Sequence, residues 1–121
     1  MFNPKMIHFE IPADDVQRAV NFYSALFGWK IEPVEGMDYW MVDSGEKETI
    51  QGGLMKRQHP SQQILDYIGV SSVSEYAEKA AALGAKILVQ KTPVPGIGYF
   101  VICMDTENNV FGLFEPDMKA K

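Results

Sequence analysis

The sequence has a single cysteine, no block of basic residues and no long apolar run. One cysteine, Cys103, excludes an internal disulfide and a cysteine-based zinc cluster. Lys and Arg number 11 against 16 Asp and Glu and do not cluster, so the basic stripe of a nucleic-acid-binding surface is missing. No apolar run approaches the roughly 20 residues of a membrane helix, and the first residues lack a signal-peptide pattern. We therefore expect a cytoplasmic protein without nucleic-acid or membrane partners.

The first clear element is a half-buried strand over residues 6–11, in which apolar and polar side chains alternate. The apolar side chains of one face are Ile7, Phe9 and Ile11. His8 and Glu10 share the opposite face, with Cβ atoms roughly 6.5–7 Å apart at a rise of about 3.3 Å per residue. One small ligand could therefore contact both polar side chains.

Two helices are predicted, over residues 14–27 and 72–83, because each segment has an apolar stripe of helical period behind a capping-box spacing. A glycine follows each segment, where helices commonly end. The capping pairs and closing glycines are Asp14, Gln17 and Gly28 for the first helix and Ser72, Glu75 and Gly84 for the second.

The second half of the chain repeats the pattern of the first. Gly-Trp-Lys-Ile after the first helix matches Gly-Ala-Lys-Ile after the second, and each half ends on a Gly-Leu-apolar strand that begins at Gly53 or Gly112. We expect one α+β domain, residues 1–121, made of two βαβββ modules over residues 5–57 and 64–117. A helix covers only one face of each sheet, so the free faces of two mixed, curled sheets would enclose a cleft.

These patterns resemble the vicinal oxygen chelate superfamily, which includes glyoxalase I, bleomycin-resistance proteins and extradiol dioxygenases. The resemblance covers residues 6 to 116. The segments that carry it are 7–11, 15–23, 26–29 and 105–115. The Phe-Tyr-x-x-x-Phe-Gly-Trp stretch that begins at Phe22 and the loop 93–98 most resemble a glyoxalase-related branch of predicted enzymes.

The resemblance implies a divalent-metal site made of four side chains, one on the first strand and one on the last strand of each module. The residues at these positions are His8, Gly53, Tyr67 and Gly112. Only His8 matches the family's ligands, whereas catalytic metal sites usually have about three protein ligands. We therefore expect no cofactor, and His8 is the metal ligand if a divalent metal does bind.

The candidate catalytic residues are His8, as donor or proton shuttle, and Glu10, as acceptor or base. The structural alternative is a histidine bonded to a neighbour and an ion-paired glutamate. Tyrosine and tryptophan rings could stack on a planar ligand, although strand aromatics more often belong to the core, and the last-strand glycines would make room for it. The candidate ligand-binding residues are Tyr39, Trp40, Gly53, Tyr67, Tyr99 and Gly112.

Several functions stay open at this point. The first is a glyoxalase-like protein that binds a small oxygenated or aromatic metabolite in the cleft, without the full metal site. The alternatives are a metal-dependent lyase, isomerase or dioxygenase, an antibiotic-sequestering binder, and an assembly subunit with a vestigial cleft. We also expect a homodimer, because one small chain would leave sheet edges and aromatics such as Trp29 and Tyr99 uncovered.

Overall fold

The computed structural model describes residues 3–47 and 49–121. The order of the elements is strand, helix and three strands, followed by the same series again. The elements are β1 (Lys5–Ala13), α1 (Val16–Phe27), β2 (Lys30–Pro33), β3 (Trp40–Asp43), β4 (Gln51–Lys56), β5 (Leu65–Gly69), α2 (Val73–Ala82), β6 (Lys86–Val94), β7 (Gly98–Met104) and β8 (Val110–Pro116). The predicted α+β class with two βαβββ series is confirmed.

The chain divides into two compact units. The first unit contains residues 8–65, and the second contains residues 66–121 with the described residues that precede His8. One boundary therefore falls inside β1, between Ile7 and His8. Module boundaries at 5–57 and 64–117 stay a prediction. Neither helix in the described part of the chain is long and apolar enough to cross a membrane.

The sheet of the first unit has the strand order β2-β3-β4-β1, with β1 and β4 parallel and the other pairs antiparallel. Helix α1 covers one face of this sheet, because its apolar side chains pack with those of the strands. The buried core residues are Ile11, Ala13, Val42 and Leu54, and Phe9, Tyr23, Trp29 and Trp40 pack against them. The alternation of β1 therefore leaves His8 and Glu10 on the face away from α1, as predicted.

The second unit has the corresponding order β5-β8-β7-β6, with β5 and β8 parallel. Its buried core residues are Val70, Val73, Val101, Cys103 and Leu113. Burial raises the pKa of the Cys103 thiol, so this cysteine is an unreactive core residue, as its place in an apolar strand indicates.

Helix α1 begins one residue later than its predicted capping pair. Asp15, not Asp14, is the N-cap, and its side chain accepts a hydrogen bond of 3.1 Å from the backbone N–H of Arg18. Asp14 instead accepts a hydrogen bond of 2.9 Å from Arg57 Nε, and Gln17 donates to Asn21. The predicted Asp14–Gln17 capping box is therefore wrong, because a long-range ion pair engages its first member.

The other helix boundaries agree with the sequence patterns. Ser72 is the N-cap of α2, and its hydroxyl accepts from the backbone N–H of Glu75 at 3.2 Å. Gly28 follows α1 with φ 73°, in the left-handed region that glycine adopts without a steric penalty. Both helices thus end where a glycine follows the apolar stripe.

Candidate functional site

The face of the first unit opposite α1 carries three hydrogen-bonded side chains, the His8–Tyr39–Glu10 triad. His8 Nε2 lies 2.6 Å from the Tyr39 hydroxyl oxygen, and this hydroxyl donates to Glu10 Oε2 at 2.9 Å. All three side chains are half-buried. The two residues that the sequence predicts as catalytic are thus joined through a tyrosine that the sequence indicated only as a stacking residue.

Strand register explains how Tyr39 reaches the other two residues. Glu10 is paired with Gly53 across the parallel β1–β4 ladder, and Gly53 is paired with Met41 across β4–β3. Tyr39 precedes Met41 by two residues, which places both side chains on one face. The Tyr39 carbonyl accepts from Val34 N–H at 2.8 Å, which holds the backbone just before β3. The phenol therefore extends across Gly53 towards Glu10.

Gly53 allows this arrangement because it has no side chain. A Cβ atom at this position would overlap the Tyr39 hydroxyl and the end of its ring. The sequence predicts open space for a ligand at Gly53, and the space directly above this residue is occupied by Tyr39. This part of the prediction is wrong, because the glycine accommodates a tyrosine of the same unit.

The chemistry of the three side chains determines which group donates and which accepts in each hydrogen bond of the triad. A phenol has one proton and a carboxylate only accepts, so Tyr39 donates to Glu10 when Glu10 is ionised. His8 must then donate its Nε2–H to the Tyr39 oxygen. Burial lowers the pKa of His8, and this effect is opposed by the negative charge of Glu10 and by a backbone hydrogen bond at Gln51. The folded protein therefore favours the neutral imidazole.

Tyr67 has a similar relation to Gly112 in the second unit. The two residues are paired in the parallel β5–β8 ladder, and a Cβ atom at Gly112 would overlap the Tyr67 ring. Tyr67 is 8% exposed. The prediction of open space at Gly112 is wrong for the same physical reason as at Gly53, while ligand contacts of Tyr67 stay a prediction.

Trp40 and Tyr99 have structural environments that account for their partial burial. Trp40 packs against the core of the first unit. Tyr99 packs against the core of the second unit, and Lys91 Nζ lies 4.4 Å from the centre of its ring. A role for either ring in ligand stacking stays a prediction.

The four-residue metal site implied by the resemblance does not fit the side chains present. In residues 3–47 and 49–121, no three His, Cys, Asp or Glu side chains are grouped so that they could hold a metal ion. His8 Nε2 faces the Tyr39 hydroxyl, and tyrosines occupy the space at both last-strand glycines. Cofactor use by this chain stays a prediction.

A second polar cluster of the first unit was not apparent in the sequence. The Arg57 guanidinium donates to Asp14, to the Pro12 carbonyl and to the Gln62 carbonyl. Beside it lies an open depression of about 500 Å³, lined by Asp14, Arg57, Gln58, His59, Pro60 and Gln63. Nothing local in the sequence shows that Arg57 binds Asp14, which precedes the N-cap of α1.

Known proteins share both sequence and fold with this chain. The family described as bleomycin resistance protein-like N-terminal matches residues 5–45. The protein CFP32 of Mycobacterium bovis and of Mycobacterium tuberculosis, provisionally named a glyoxylase, is 27% identical over 112 residues, which cover 88% of this chain and 42% of the relative. The chain thus spans about two fifths of the length of these curated relatives.

Two solved structures illustrate the shared fold. A hypothetical protein of Bacillus halodurans C-125 has a TM-score of 0.68 at 16% identity, over 99% of both chains. Methylmalonyl-CoA epimerase from Mycobacterium tuberculosis has a TM-score of 0.67 at 14% identity, over 93% of this chain and 87% of the epimerase.

The paired βαβββ series place the protein in a fold class that these solved structures share. Taken with the matched N-terminal family and the curated relatives, the fold supports the resemblance of the chain to the vicinal oxygen chelate superfamily.

Proposed function

We propose that this glyoxalase-like protein binds a small oxygenated or aromatic metabolite at the His8–Tyr39–Glu10 triad, without the full glyoxalase I metal site. The observation that carries this proposal is the pair of short hydrogen bonds that gathers three polar side chains on the face away from the core. Small-molecule sites typically contain a few polar groups of this kind among less polar surroundings.

The chemistry of the triad supports recognition of ligand oxygen atoms. Glu10 supplies a carboxylate acceptor or base, His8 supplies a ring nitrogen that can donate or accept, and Tyr39 adds a phenol hydroxyl. Partial burial strengthens such hydrogen bonds, because the local dielectric constant is lower than that of water.

A second candidate is a lyase or isomerase that moves a proton at the same triad. The lowered pKa of His8 favours this reading, because perturbed pKa values are frequent among residues that transfer protons. The relatives named as a glyoxylase and an epimerase are consistent with a small oxygenated substrate. A metal-dependent reaction of the glyoxalase or dioxygenase type would need metal ligands that the residues at the four implied positions do not supply. Sequestration of an antibiotic stays an alternative form of small-molecule binding.

We also propose that the protein is a cytoplasmic homodimer with a small-molecule ligand. No role in nucleic-acid binding is included, because the net charge is −5 and the basic residues are dispersed.

A thermal-shift screen of metabolites tests the proposed binding site. A compound that raises the melting temperature of the wild type should raise it much less in Glu10→Gln, which keeps the shape of the side chain and removes its charge. Glu32→Gln is the matched control, because Glu32 lies on β2 of the same unit with a side chain 65% exposed. The compound's NMR chemical-shift changes in the protein are measured as well. The proposal would be contradicted if the compound raised the melting temperature equally in all three proteins and its NMR changes were confined to the outer face of α1.

A further inference from the structure

Two neighbouring depressions lie on the first unit, and no residue of the triad lines either of them. The larger, of about 500 Å³, is the polar depression beside Arg57. The smaller, of about 210 Å³, has an apolar part made of Ile11, Pro12, Tyr23 and Ile64. Arg57 and Gln63 line both depressions, so the polar and the apolar parts adjoin. Small-molecule sites typically combine apolar surface with a few polar groups in this way.

Arg57 is held in place by the protein around it. Its backbone N–H donates to the Ala13 carbonyl at 2.8 Å. Its guanidinium donates to Asp14 and to the carbonyls of Pro12 and Gln62, and the side chain is 26% exposed. A guanidinium has five N–H donors, so two of them have no acceptor among residues 3–47 and 49–121. A ligand could accept from these two donors at little cost in side-chain freedom, because the guanidinium is already fixed.

The ring of His59 is also oriented by its neighbours. Its Nδ1 accepts from the backbone N–H of Ser61 at 3.2 Å and lies 2.7 Å from the Ser61 hydroxyl oxygen. An Nδ1 that accepts from a backbone N–H carries no hydrogen, so the ring is neutral and has its hydrogen on Nε2. Within the part of the chain that the structure describes, no group accepts from this Nε2–H. His59 thus adds a second donor to the lining that contains Arg57.

Asp14 is the acidic member of the polar lining, and it limits which ligand fits. Its side chain is 74% exposed in the ion pair with Arg57. Such exposed pairs contribute little free energy, so an arriving carboxylate can compete for the guanidinium, with which carboxylates form strong charge-assisted hydrogen bonds. Because Asp14 balances the charge of Arg57, the lining has little net positive charge, which favours a monoanion over a dianionic phosphate.

We propose that the two depressions form a second small-molecule site of the first unit, which binds a carboxylate attached to an apolar body. Arg57 and His59 hold the carboxylate through their remaining N–H donors. The apolar body packs against Ile11, Tyr23 and Ile64. This site goes beyond the function proposed for the triad and does not depend on it.

NMR titration with three simple probes tests the proposal. Hexanoate has a carboxylate and an apolar chain, acetate has the carboxylate without the chain, and 1-hexanol has the chain without the carboxylate. We expect hexanoate to bind the wild type about tenfold or more tightly than either of the others, because buried methylenes add to the affinity. Its chemical-shift changes should centre on the Arg57 Nε–H and the Ile64 methyl groups. Equal affinity for hexanoate and acetate, or changes centred on the triad, would overturn the proposal.

Variants of exposed side chains test the two parts of the site separately and leave the bonded Arg57 intact. Ile64→Ala should weaken hexanoate binding about threefold to tenfold and leave acetate binding unchanged. Ile50→Ala is the matched control, because Ile50 is also an exposed isoleucine of the first unit but lines neither depression. His59→Ala should weaken both hexanoate and acetate by about 2- to 10-fold, through the lost hydrogen bond. Hexanoate binding that is unchanged in both Ile64→Ala and His59→Ala would reject the site.

Asp14→Asn should have the opposite effect. The change removes the charge that competes for Arg57 and keeps an oxygen that can accept from its Nε, so hexanoate should bind about twofold to fivefold more tightly. Glu32→Gln is the control, because it removes an equal charge from an exposed side chain on β2. Weaker binding in Asp14→Asn, or the same gain in Glu32→Gln, would contradict the placement of the carboxylate at Arg57.

Discussion

The ring of Tyr67 lies directly against Gly112, its partner in the parallel β5–β8 ladder. Tyr39 lies against Gly53 in the first unit, although it comes from the segment before β3 rather than from the unit's first strand. Gly53 and Gly112 therefore each accommodate a tyrosine. We conclude that these glycines are required by packing within each unit, whatever the ligand.

Gly112→Ala should destabilise the protein by about 1–3 kcal/mol, because the added methyl group would enter the space of the buried Tyr67 ring. The free energy of unfolding is measured by urea denaturation. A double-mutant cycle with Tyr67→Ala provides the control, since the alanine at 112 should cost much less when the ring is absent. Additive effects in this cycle would show that the ring and the glycine do not constrain each other.

The local patterns predicted the strand faces and the helices, because these depend on neighbours a few residues away. His8 and Glu10 were placed on the free face of β1 by alternation alone. The link through Tyr39 was not predicted, because it depends on the registers of β1, β3 and β4 together. The N-cap of α1 was misplaced because the competing partner of Asp14 is Arg57, 43 residues away.

The assignment of Asp15 as the N-cap of α1 leads to a second prediction about stability. Asp15→Ala should lower the free energy of unfolding by about 0.5–2 kcal/mol, since its carboxylate caps α1. Asp14→Ala should cost less, about 0–1 kcal/mol, because the Asp14 side chain is 74% exposed in its pair with Arg57. Asp15→Asn, which can still accept from the backbone, should recover most of the loss. A larger effect at Asp14 than at Asp15 would restore the original capping assignment.

The lowered pKa of His8 predicts a pH dependence of stability. The unfolded chain, with His8 near its ordinary pKa of 6.5, binds a proton at a higher pH than the folded protein does. The contribution of His8 is therefore fully present above pH 6.5 and is lost as the pH falls towards the lower folded pKa. His8→Gln should flatten the fall in urea midpoint between about pH 8 and about pH 5 relative to the wild type. His59→Gln, at the exposed His59, is the control, and an equal flattening there would contradict the assignment.

The exposed apolar face of α1 is the predicted contact surface of a homodimer. Phe22 and Leu26 are each 58% exposed and Phe27 is 56% exposed, whereas Trp29 and Tyr99 are half-buried. We expect the wild type to sediment as a dimer and Leu26→Glu to sediment closer to the 13.6 kDa chain. The reason is that an unpaired charge opposes burial of this face.

Leu83→Glu is the matched control for this experiment, since Leu83 at the end of α2 is 80% exposed and should tolerate the charge. A wild type that sediments only as the 13.6 kDa species at micromolar concentration would reject the dimer altogether.

Metal content gives the last prediction. We expect protein purified without a tag to contain much less than one equivalent of Zn, Ni, Mn or Fe, because glycines stand at the last-strand ligand positions and tyrosine rings occupy the space beside them. The double variant Tyr39→Ala with Gly53→Glu removes the phenol and adds a carboxylate beside His8 and Glu10, which approaches the roughly three protein ligands of a catalytic zinc site. Calorimetric titration with Ni²⁺ should therefore show tighter binding in the double variant than in the wild type, and Tyr39→Ala alone is the control. Near one equivalent of metal in the wild type, lost in His8→Ala, would overturn the prediction.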